Sequence, residues 1–511
     1  MTTTEVGWQQ LDRRTVVVTA LTTAGVCVGG GVPAVYWIGR ATSLWIALAI
    51  VLPGAALVIA IAALADLLRW HKTRYRVLAD RVQLNKGIVF RTRRSLARER
   101  IRSVDLTAGP LLRVFRLVNV KIGTGEQTGA GQSSLSLYPV ARAEAERLRR
   151  ELLDRTPAGA LGDAGDGRLA TLDPQWIRYA PMSFVTPTLG AAAFGLVLQV
   201  ADWFGMQDGV VMWTFNRMRE LPLVVAILVL VVIGLVIGLV AASALFVEMW
   251  WQYRLDREPG GTLRVRRGLL TARSISLEER RLRGVELVEP LGNRLLGAAR
   301  VDAVATGLVK QSENESTDHK TLLPAAPRTE ADRVAAAVLR EPVSPTAAVV
   351  LRAHPVAARG RRIRWGLAGA AAPALVLLLL GWLLSVEVLL HLAWLSAVVL
   401  VPIAVALALD AYRNLGHGIA GEYLVARSGS VRRGTVALQR RGVIGWTARQ
   451  SIFQRRKGLL TLTATTAAGS GGYSVHDVGE SQGLAFAEAA VPDLFGPFLD
   501  RAADESDSSR V

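Results

Sequence analysis

The side chains best suited to binding a ligand are arginines in two basic segments. A guanidinium group donates paired hydrogen bonds to phosphate oxygens, so such clusters predict recognition of an anionic group. A cation close to an anionic membrane contributes about 1 kcal/mol. The alternative is that these arginines only form a solvated strand face beside such a membrane. The candidate residues for a face that binds anionic lipid or a partner are Arg91, Arg93, Arg94, Arg98 and Arg100 in the first segment and Arg264, Arg266 and Arg267 in the second.

The remaining reactive residues form no recognisable catalytic pattern. None of the six histidines belongs to a His-x-x-x-His pair or stands beside the single cysteine, Cys27. The segment Gly123–Gly129 lacks the spacing of a dinucleotide-binding loop and leads into another strand, which favours a hairpin loop. No aromatic stacking platform is interleaved with the arginines. We therefore predict a non-enzymatic protein with no metal, no cofactor and no nucleic-acid partner.

The composition is typical of a membrane protein with large water-exposed domains. Of the 511 residues, 51% are hydrophobic and 20% are charged. The net charge of +18 favours contact with anionic lipid, although the excess of arginine is equally consistent with codon usage. Because Cys27 is the only cysteine, no intramolecular disulfide can form, which is consistent with domains in a reducing compartment.

Six segments are long and apolar enough to cross a bilayer as helices, for which about 20 residues are needed. They fall into three pairs, which predicts three helical hairpins. The link of the second pair is longer and contains Trp203, Phe204, Trp213 and Phe215, residues typical of the membrane–water boundary. The predicted spans are residues 15–38, 43–68, 181–202, 221–247, 365–385 and 388–409.

Basic residues predict the orientation of these spans. The links within the hairpins contain only Arg40, Arg217 and Arg219, whereas the opposite span ends carry many arginines and lysines. Since positive residues are retained on the inner side, both termini and all water-exposed domains are predicted to be cytoplasmic, in a multi-pass protein of the inner membrane. Near the ends of the even-numbered spans, carboxylates predict either a proton or cation path or local ion pairing. They are Asp66, Glu248 and Asp410.

A basic, strand-rich segment follows each hairpin, and the three segments share one residue frame. In each copy, short alternating runs predict antiparallel strands, and a helix-forming segment follows them. Such a frame indicates an internal repeat of the whole two-part unit. The frame consists of Gly87, Gly268 and Gly429, then Val104, Val285 and Trp446, then Arg113, Arg294 and Arg455.

These patterns divide the chain into alternating membrane and water-exposed parts. Sequences rich in Gly, Pro and Ala predict two linkers, and a polar composition predicts a disordered tail. The hairpins occupy 1–70, 181–250 and 363–411, the modules 71–156, 251–341 and 412–499, the linkers 157–180 and 342–362, and the tail 500–511.

The repeated motif resembles the bacterial pleckstrin-homology, or membrane-flanked domain, family, and in particular its members with several copies. The second copy carries the motif best, with Arg281-Leu282, Val285, Leu287 and Arg294-Leu-Leu-Gly297. The first copy keeps Arg100-Ile101, Val104 and Arg113. The third is diverged, with Gly442 in place of the first arginine and Trp446 in place of the valine.

This resemblance implies a fold of six transmembrane helices in hairpins plus three small all-β barrels like PH domains, each capped by a C-terminal helix. It implies no enzymatic chemistry. The expected function is that of a membrane-anchored scaffold, with envelope maintenance or stress resistance as its setting. The alternative is a transporter or flippase-like component with regulatory PH-like domains. The expected partners are the lipid bilayer, anionic phospholipid head groups and unidentified proteins.

Overall fold

The structure of this chain is a computed structural model. Within the part that it describes, the chain forms two compact units, with the boundary between Arg281 and Leu282. Most of the segment Gly123–Gly129 and the tail 500–511 lie outside the described residues. The structure describes residues 8–78, 80–87, 91–101, 103–123, 134–153, 167–182, 185–306, 320–492 and 494.

Long apolar helices with mostly exposed side chains form the candidate membrane spans. The helices are α1 (Thr15–Ala41), α2 (Leu44–Lys72), α5 (Val185–Trp203), α6 (Gln207–Arg219), α7 (Leu223–Trp250), α11 (Val356–Leu383) and α12 (Glu387–Arg413). In the described part, five of them are long and apolar enough to cross a membrane, and the apolar part of α5, Thr188–Trp203, is shorter. Sequence analysis did not predict α6, which occupies the link of the second hairpin.

The first copy of the repeat has two groups of strands around one core. Its elements are β1 (Gln9–Gln10), β2 (Arg74–Val77), β3 (Arg81–Lys86), β4 (Thr92–Ala97), β5 (Ser103–Ala108), α3 (Pro110–Val114), β6 (Leu117–Gly123), β7 (Ser134–Ala141) and α4 (Arg142–Leu153). Strands β1 to β4 form one antiparallel sheet. Because successive side chains point to opposite faces, Tyr75, Val82 and Leu84 are buried together, and Val120 and Leu148 join them from the second group.

Strands of the second copy extend the sheet that the first copy begins. They are β9 (Arg254–Glu258), β10 (Thr262–Arg267) and β11 (Ala272–Glu278), preceded by β8 (Arg168–Thr171) within the segment predicted as a linker. The resulting sheet has the order β7-β6-β5-β11-β10-β9-β8. At the junction between copies, β11 runs antiparallel to β5, and Ser274 faces Leu106.

The second unit repeats this arrangement one copy further along the chain. Its elements are β12 (Leu282–Pro290), α8 (Leu291–Leu295), β13 (Ala298–Ala305), β14 (Thr321–Pro327), α9 (Arg328–Leu339), α10 (Pro345–Ala348), β15 (Gly416–Ala420), β16 (Tyr423–Ser428), β17 (Arg432–Gln439), β18 (Gly445–Arg449), α13 (Ile452–Arg455), β19 (Leu459–Thr465), β20 (Gly472–Gly479) and α14 (Glu480–Ala490). One sheet has the order β14-β13-β12-β17-β16-β15, and another contains β18-β19-β20. At the junction between copies, Thr435 faces Leu287.

The repeat glycines mark the same turn in all three copies. Gly87, Gly268 and Gly429 have φ values of +134°, +112° and +100°, a conformation that L side chains rarely adopt. A Cβ atom on Gly268 would overlap the carbonyl oxygen of Thr271, and one on Gly429 would overlap the oxygen of Arg432. Glycine is therefore required where β10 turns into β11 and where β16 turns into β17, and Gly87 has a similar conformation after β3.

The structure does not confirm the prediction of three small all-β barrels. In the described residues, the strands of the second copy are divided between a sheet shared with the first copy and a sheet shared with the third. No sheet of the described chain closes on itself. Alternation along a strand predicts which face is buried, but it does not predict which strand lies beside an open edge.

Candidate anion-binding site

The outer face of the first sheet is polar and basic. Its side chains alternate with the buried residues of β2 and β3, so they point away from the core. Arg74, Asn85 and Arg93 form one row across the three strands, because Arg74 faces Asn85 and Asn85 faces Arg93. Arg76, which faces Gln83, begins a second row.

A cavity of about 740 Å³ lies on this face, beside the C-terminal end of α2. Within the described residues, its lining contains no carboxylate. Eight of its side chains are arginine, lysine or histidine. The lining consists of Trp8, His71, Lys72, Arg74, Arg76, Gln83, Asn85, Lys86, Gly87, Arg91, Thr92, Arg93, Arg94 and Ser95. This concentration of cationic donors without a carboxylate suits an anion such as a phosphate group.

Neutral neighbours orient one arginine of the pocket. The guanidinium carbon of Arg76 lies 4.6 Å from the centroid of the Trp8 ring, a cation–π contact. Its Nε donates a hydrogen bond of 2.8 Å to Oε1 of Gln83. Arg91 and Arg93 are exposed at the rim. A ligand would therefore meet one oriented guanidinium and several that can adjust.

The predicted residues of the first segment do not all belong to this pocket. Arg91, Arg93 and Arg94 line it, although Arg94 faces Leu84 in the ladder and is half-buried. Arg98 instead donates a hydrogen bond to the backbone oxygen of Glu151 at the end of α4, which makes it a structural residue. The side chain of Arg100 lies outside the described part of the chain.

The predicted residues of the second segment are used inside the protein. Arg264 is 4% exposed and donates to Glu146 of α4 at 2.8 and 3.0 Å. Arg267 is also 4% exposed, and its guanidinium carbon lies 4.3 Å from the centroid of the Trp250 ring. Arg266 is half-exposed, 3.9 Å from Glu258. The proposed second ligand face is therefore occupied by the protein's own groups.

The cause of this difference is the helix of the preceding copy. Arg149 of α4 is 3% exposed and donates to Glu258 of β9 at 2.7 Å, so α4 covers the outer face of β9 and β10. Burial alone would raise the pKa of Glu146, but the hydrogen bond and charge of Arg264 and the charge of Arg149 lower it to about 2. In copy 1 the equivalent outer face, on β2 and β3, lines the pocket.

His354, in the segment predicted as a linker, and His417, in the third copy, form a buried pair. Nε2 of His354 lies 3.0 Å from Nδ1 of His417, and the carboxylate of Asp477 pairs with Arg361 and, at 2.9 Å, with Arg362. Burial, and then the charge of His354, lower the pKa of His417 to about 4. Among the described residues, no group of three or more His, Cys, Asp or Glu side chains is placed to hold a metal ion.

The carboxylates at the span ends have local partners. Asp66 accepts a hydrogen bond of 3.0 Å from Thr19. Glu248 accepts the backbone N–H groups of Leu270 and Thr271 at 2.9 and 3.0 Å, in the turn between β10 and β11. Asp410 pairs with an arginine of the second copy at 2.8 Å. These contacts favour the local-pairing interpretation over a proton or cation path.

Sequence reasoning missed the part of the pocket that comes from outside the first basic segment. Trp8 lies before the first span, and Lys72 lies at the end of α2. The available signal was the alternation of Arg74 and Arg76 with buried Tyr75 and Val77, which assigns both arginines to the outer face.

Comparison with known proteins agrees with the repeat. A family model described as "Bacterial PH domain" matches residues 28–156, 209–342 and 367–490, which is most of the chain. The chain belongs to the bacterial PH domain family. A protein similar to this chain is "UPF0699 transmembrane protein YdbT" of Bacillus subtilis (strain 168), with 21% identity over 261 residues, or 48% of this chain and 51% of that protein. The match thus spans about half the length of this relative. No solved structure matches the chain.

Proposed function

We propose that this bacterial PH domain protein is a six-span, non-enzymatic platform of the cytoplasmic membrane, whose copies lie in the cytoplasm. We further propose that the pocket of its first copy binds the head group of an anionic phospholipid. The pocket, basic and without a carboxylate among its described lining residues, is the observation that carries this proposal.

The shared sheets support six spans. Strands β7 and β9 lie in one sheet, although α5, α6 and α7 separate them in the sequence. A chain that leaves one side of a membrane and returns to it crosses an even number of times, which favours α5 and α7 as a spanning pair. Helices α11 and α12 separate β14 from β15 in the same way. The basic residues at the span ends then favour the cytoplasm for all three copies.

The position of the pocket supports a lipid ligand. His71 and Lys72, at the end of the apolar helix α2, belong to its lining, so a bound group would lie near head-group depth. Each cation near an anionic surface contributes about 1 kcal/mol, and arginine suits phosphate because its donors form a planar fork.

The binding experiment compares two charge reversals in the full-length protein. Purified protein in neutral detergent is titrated with short-chain phosphatidylglycerol, and binding is measured by calorimetry. Arg93→Glu removes one cation of the pocket and adds a repulsive charge, so we expect at least about tenfold weaker binding, which corresponds to about 1.4 kcal/mol. Arg266→Glu, a half-exposed arginine of the second copy, is the matched control and should bind like the unchanged protein.

Unchanged affinity in Arg93→Glu would refute the lipid site. Equal affinity for short-chain phosphatidylcholine would refute its preference for anionic lipid. The platform role is tested by crosslinking in intact cells, where the same partner protein should be recovered repeatedly. Substrate-dependent flux in proteoliposomes would instead favour the transporter alternative.

A further inference from the structure

Among the described residues, β4 of copy 1 and β18 of copy 3 have no neighbouring strand on the side that forms the junctions between copies. β4 is the edge strand of the first sheet, and β18 is the edge strand of the last. In the repeat, β4 is equivalent to β11 and β17, whereas β18 is equivalent to β5 and β12. The inner strands pair across the two junctions, β11 with β5 and β17 with β12. The two edge strands of the described part, β4 and β18, therefore belong to complementary classes.

The two inner junctions have the same register. Ser274, six residues after its repeat glycine, faces Leu106, nineteen residues after its own. Thr435 and Leu287 stand at the same two places in the next pair of copies, and they also face each other. A junction between copies is thus a fixed feature of the repeat, with one register.

Joining β4 of one chain to β18 of another would form a third sheet of this design. Its order would be β20-β19-β18-β4-β3-β2-β1, which corresponds strand for strand to β7-β6-β5-β11-β10-β9-β8. Even β1 has a counterpart, because it pairs with β2 as β8 pairs with β9. We propose that the protein assembles head to tail, with β4 of one molecule paired antiparallel to β18 of a second copy of this chain.

A side-chain contact accompanies both inner junctions. Arg113 of copy 1 donates a hydrogen bond to the backbone oxygen of Leu269, in the turn between β10 and β11 of copy 2. Arg294, the equivalent residue of copy 2, pairs at 2.8 Å with Asp410, just before copy 3. Arg455 is the equivalent residue of copy 3, and its side chain is exposed. Copy 3 therefore presents both the strand edge and the arginine that an inner junction uses.

The arginines of β4 are compatible with this pairing. Strand β17 carries Arg432 and Arg433 and still pairs with β12, because these side chains reach Glu286 at 3.1 Å and Glu289 at 2.7 Å. At the corresponding end of β18, Glu480 accepts a hydrogen bond of 3.4 Å from the residue that follows the strand. An acidic group is therefore available there.

Disulfide crosslinking in native membranes tests the register. Two full-length chains with different tags are expressed together, both with Cys27→Ser, one with Thr92→Cys and the other with Arg449→Cys. The equivalent pair Arg273 and Thr107 face each other at an inner junction. Facing residues of antiparallel strands have Cα atoms about 4.5–5.5 Å apart, within the range of a disulfide.

The matched control moves one cysteine along the same strand. Ala97→Cys replaces Thr92→Cys and lies five residues further along β4, about 17 Å away. Mild oxidation should link the two tagged chains at least fivefold more in the Thr92–Arg449 pair than in the Ala97–Arg449 pair. Equal yields, or no link between differently tagged chains, would overturn the proposal. A further control places both cysteines, Thr92→Cys and Arg449→Cys, in one chain. A disulfide that forms only within that chain, and never between two chains, would also overturn the proposal.

The arginine contact is tested in the same assay. Arg455→Glu should lower the yield of the Thr92–Arg449 link at least threefold, whereas Arg456→Glu, at its exposed neighbour, should leave it unchanged. Equal effects of the two reversals would refute the contact. Thr92 also lines the lipid pocket, so phosphatidylglycerol binding by the Thr92→Cys variant is measured separately, and the crosslink is scored whether or not lipid binds.

Discussion

Removing the carboxylate of Glu146 is expected to destabilise the first unit by about 3 kcal/mol. Arg264 is 4% exposed, and Glu146 accepts two of its hydrogen bonds, at 2.8 and 3.0 Å. Breaking a buried ion pair from one side costs about 3–5 kcal/mol, because the other charge stays buried. Glu258 still reaches Arg264 at 3.1 Å, so we expect the lower end of that range for Glu146→Ala.

The assay is unfolding of the full-length protein by denaturant in detergent, and the extent of unfolding is measured as the protease sensitivity of α4. Glu144→Ala is the matched control on the same helix, since Glu144 pairs with Arg147, which is 55% exposed. Such surface pairs contribute about 0–1 kcal/mol. Replacing both Glu146 and Arg264 by Met should restore most of the lost stability, because no unpaired charge remains.

Equal stabilities of Glu146→Ala and Glu144→Ala would refute the interpretation that α4 covers the outer face of β9 and β10. The same pair gives a pH dependence. The pKa of Glu146 falls from 4.5 to about 2 on folding. Its contribution to the free energy of unfolding is therefore complete above pH 4.5 and is lost as the pH falls toward 2. Glu146→Ala should therefore have a flatter stability profile in that window.

Two further predictions concern the second unit and the repeat turn. Burial, and then the charge of His354, hold the pKa of His417 at about 4, against an ordinary value of 6.5. The neutral ring therefore favours the folded state by up to about 3 kcal/mol of unfolding free energy. This stability is complete above pH 6.5 and is lost as the pH falls toward 4. Unfolding is measured at pH 7.5 and pH 5.0. The unchanged protein and the exposed control His71→Gln should both be less stable at pH 5.0, whereas His417→Phe should lose less stability between the two pH values. An equal loss in His417→Phe and the unchanged protein would contradict this. Gly268→Ala should cost about 2 kcal/mol or more, because its φ of +112° is strained for alanine and the new Cβ meets the backbone. The control is Gly54→Ala, in a helix with open space around it, which should leave the stability in thermal unfolding unchanged or raise it. Equal losses of stability in Gly268→Ala and Gly54→Ala would refute the requirement for glycine at the repeat turn.

The elements of each copy could be predicted from local patterns, whereas their partners could not. Alternation in β2 and β3, and the turn at Gly87, depend on residues close together in the sequence, and both are present. The pairing of β11 with β5 depends on which strand edge is open after the chain has folded. Composition carries no such information. The arginines illustrate the same limit, since Arg93 and Arg264 look alike in the sequence but only Arg264 meets Glu146 from another copy.

The shared sheets also have a consequence for how such a protein is synthesised. Strand β5 leaves the ribosome long before β11, because helices α5, α6 and α7 lie between them in the sequence. Until then, the hydrogen-bonding groups along one side of β5 lack the neighbour that they have in the finished protein. The repeated unit of the sequence and the unit that folds are therefore out of phase by half a copy. A gene that gained or lost one copy would change the number of junctions between copies, but the remaining junctions would keep the same design.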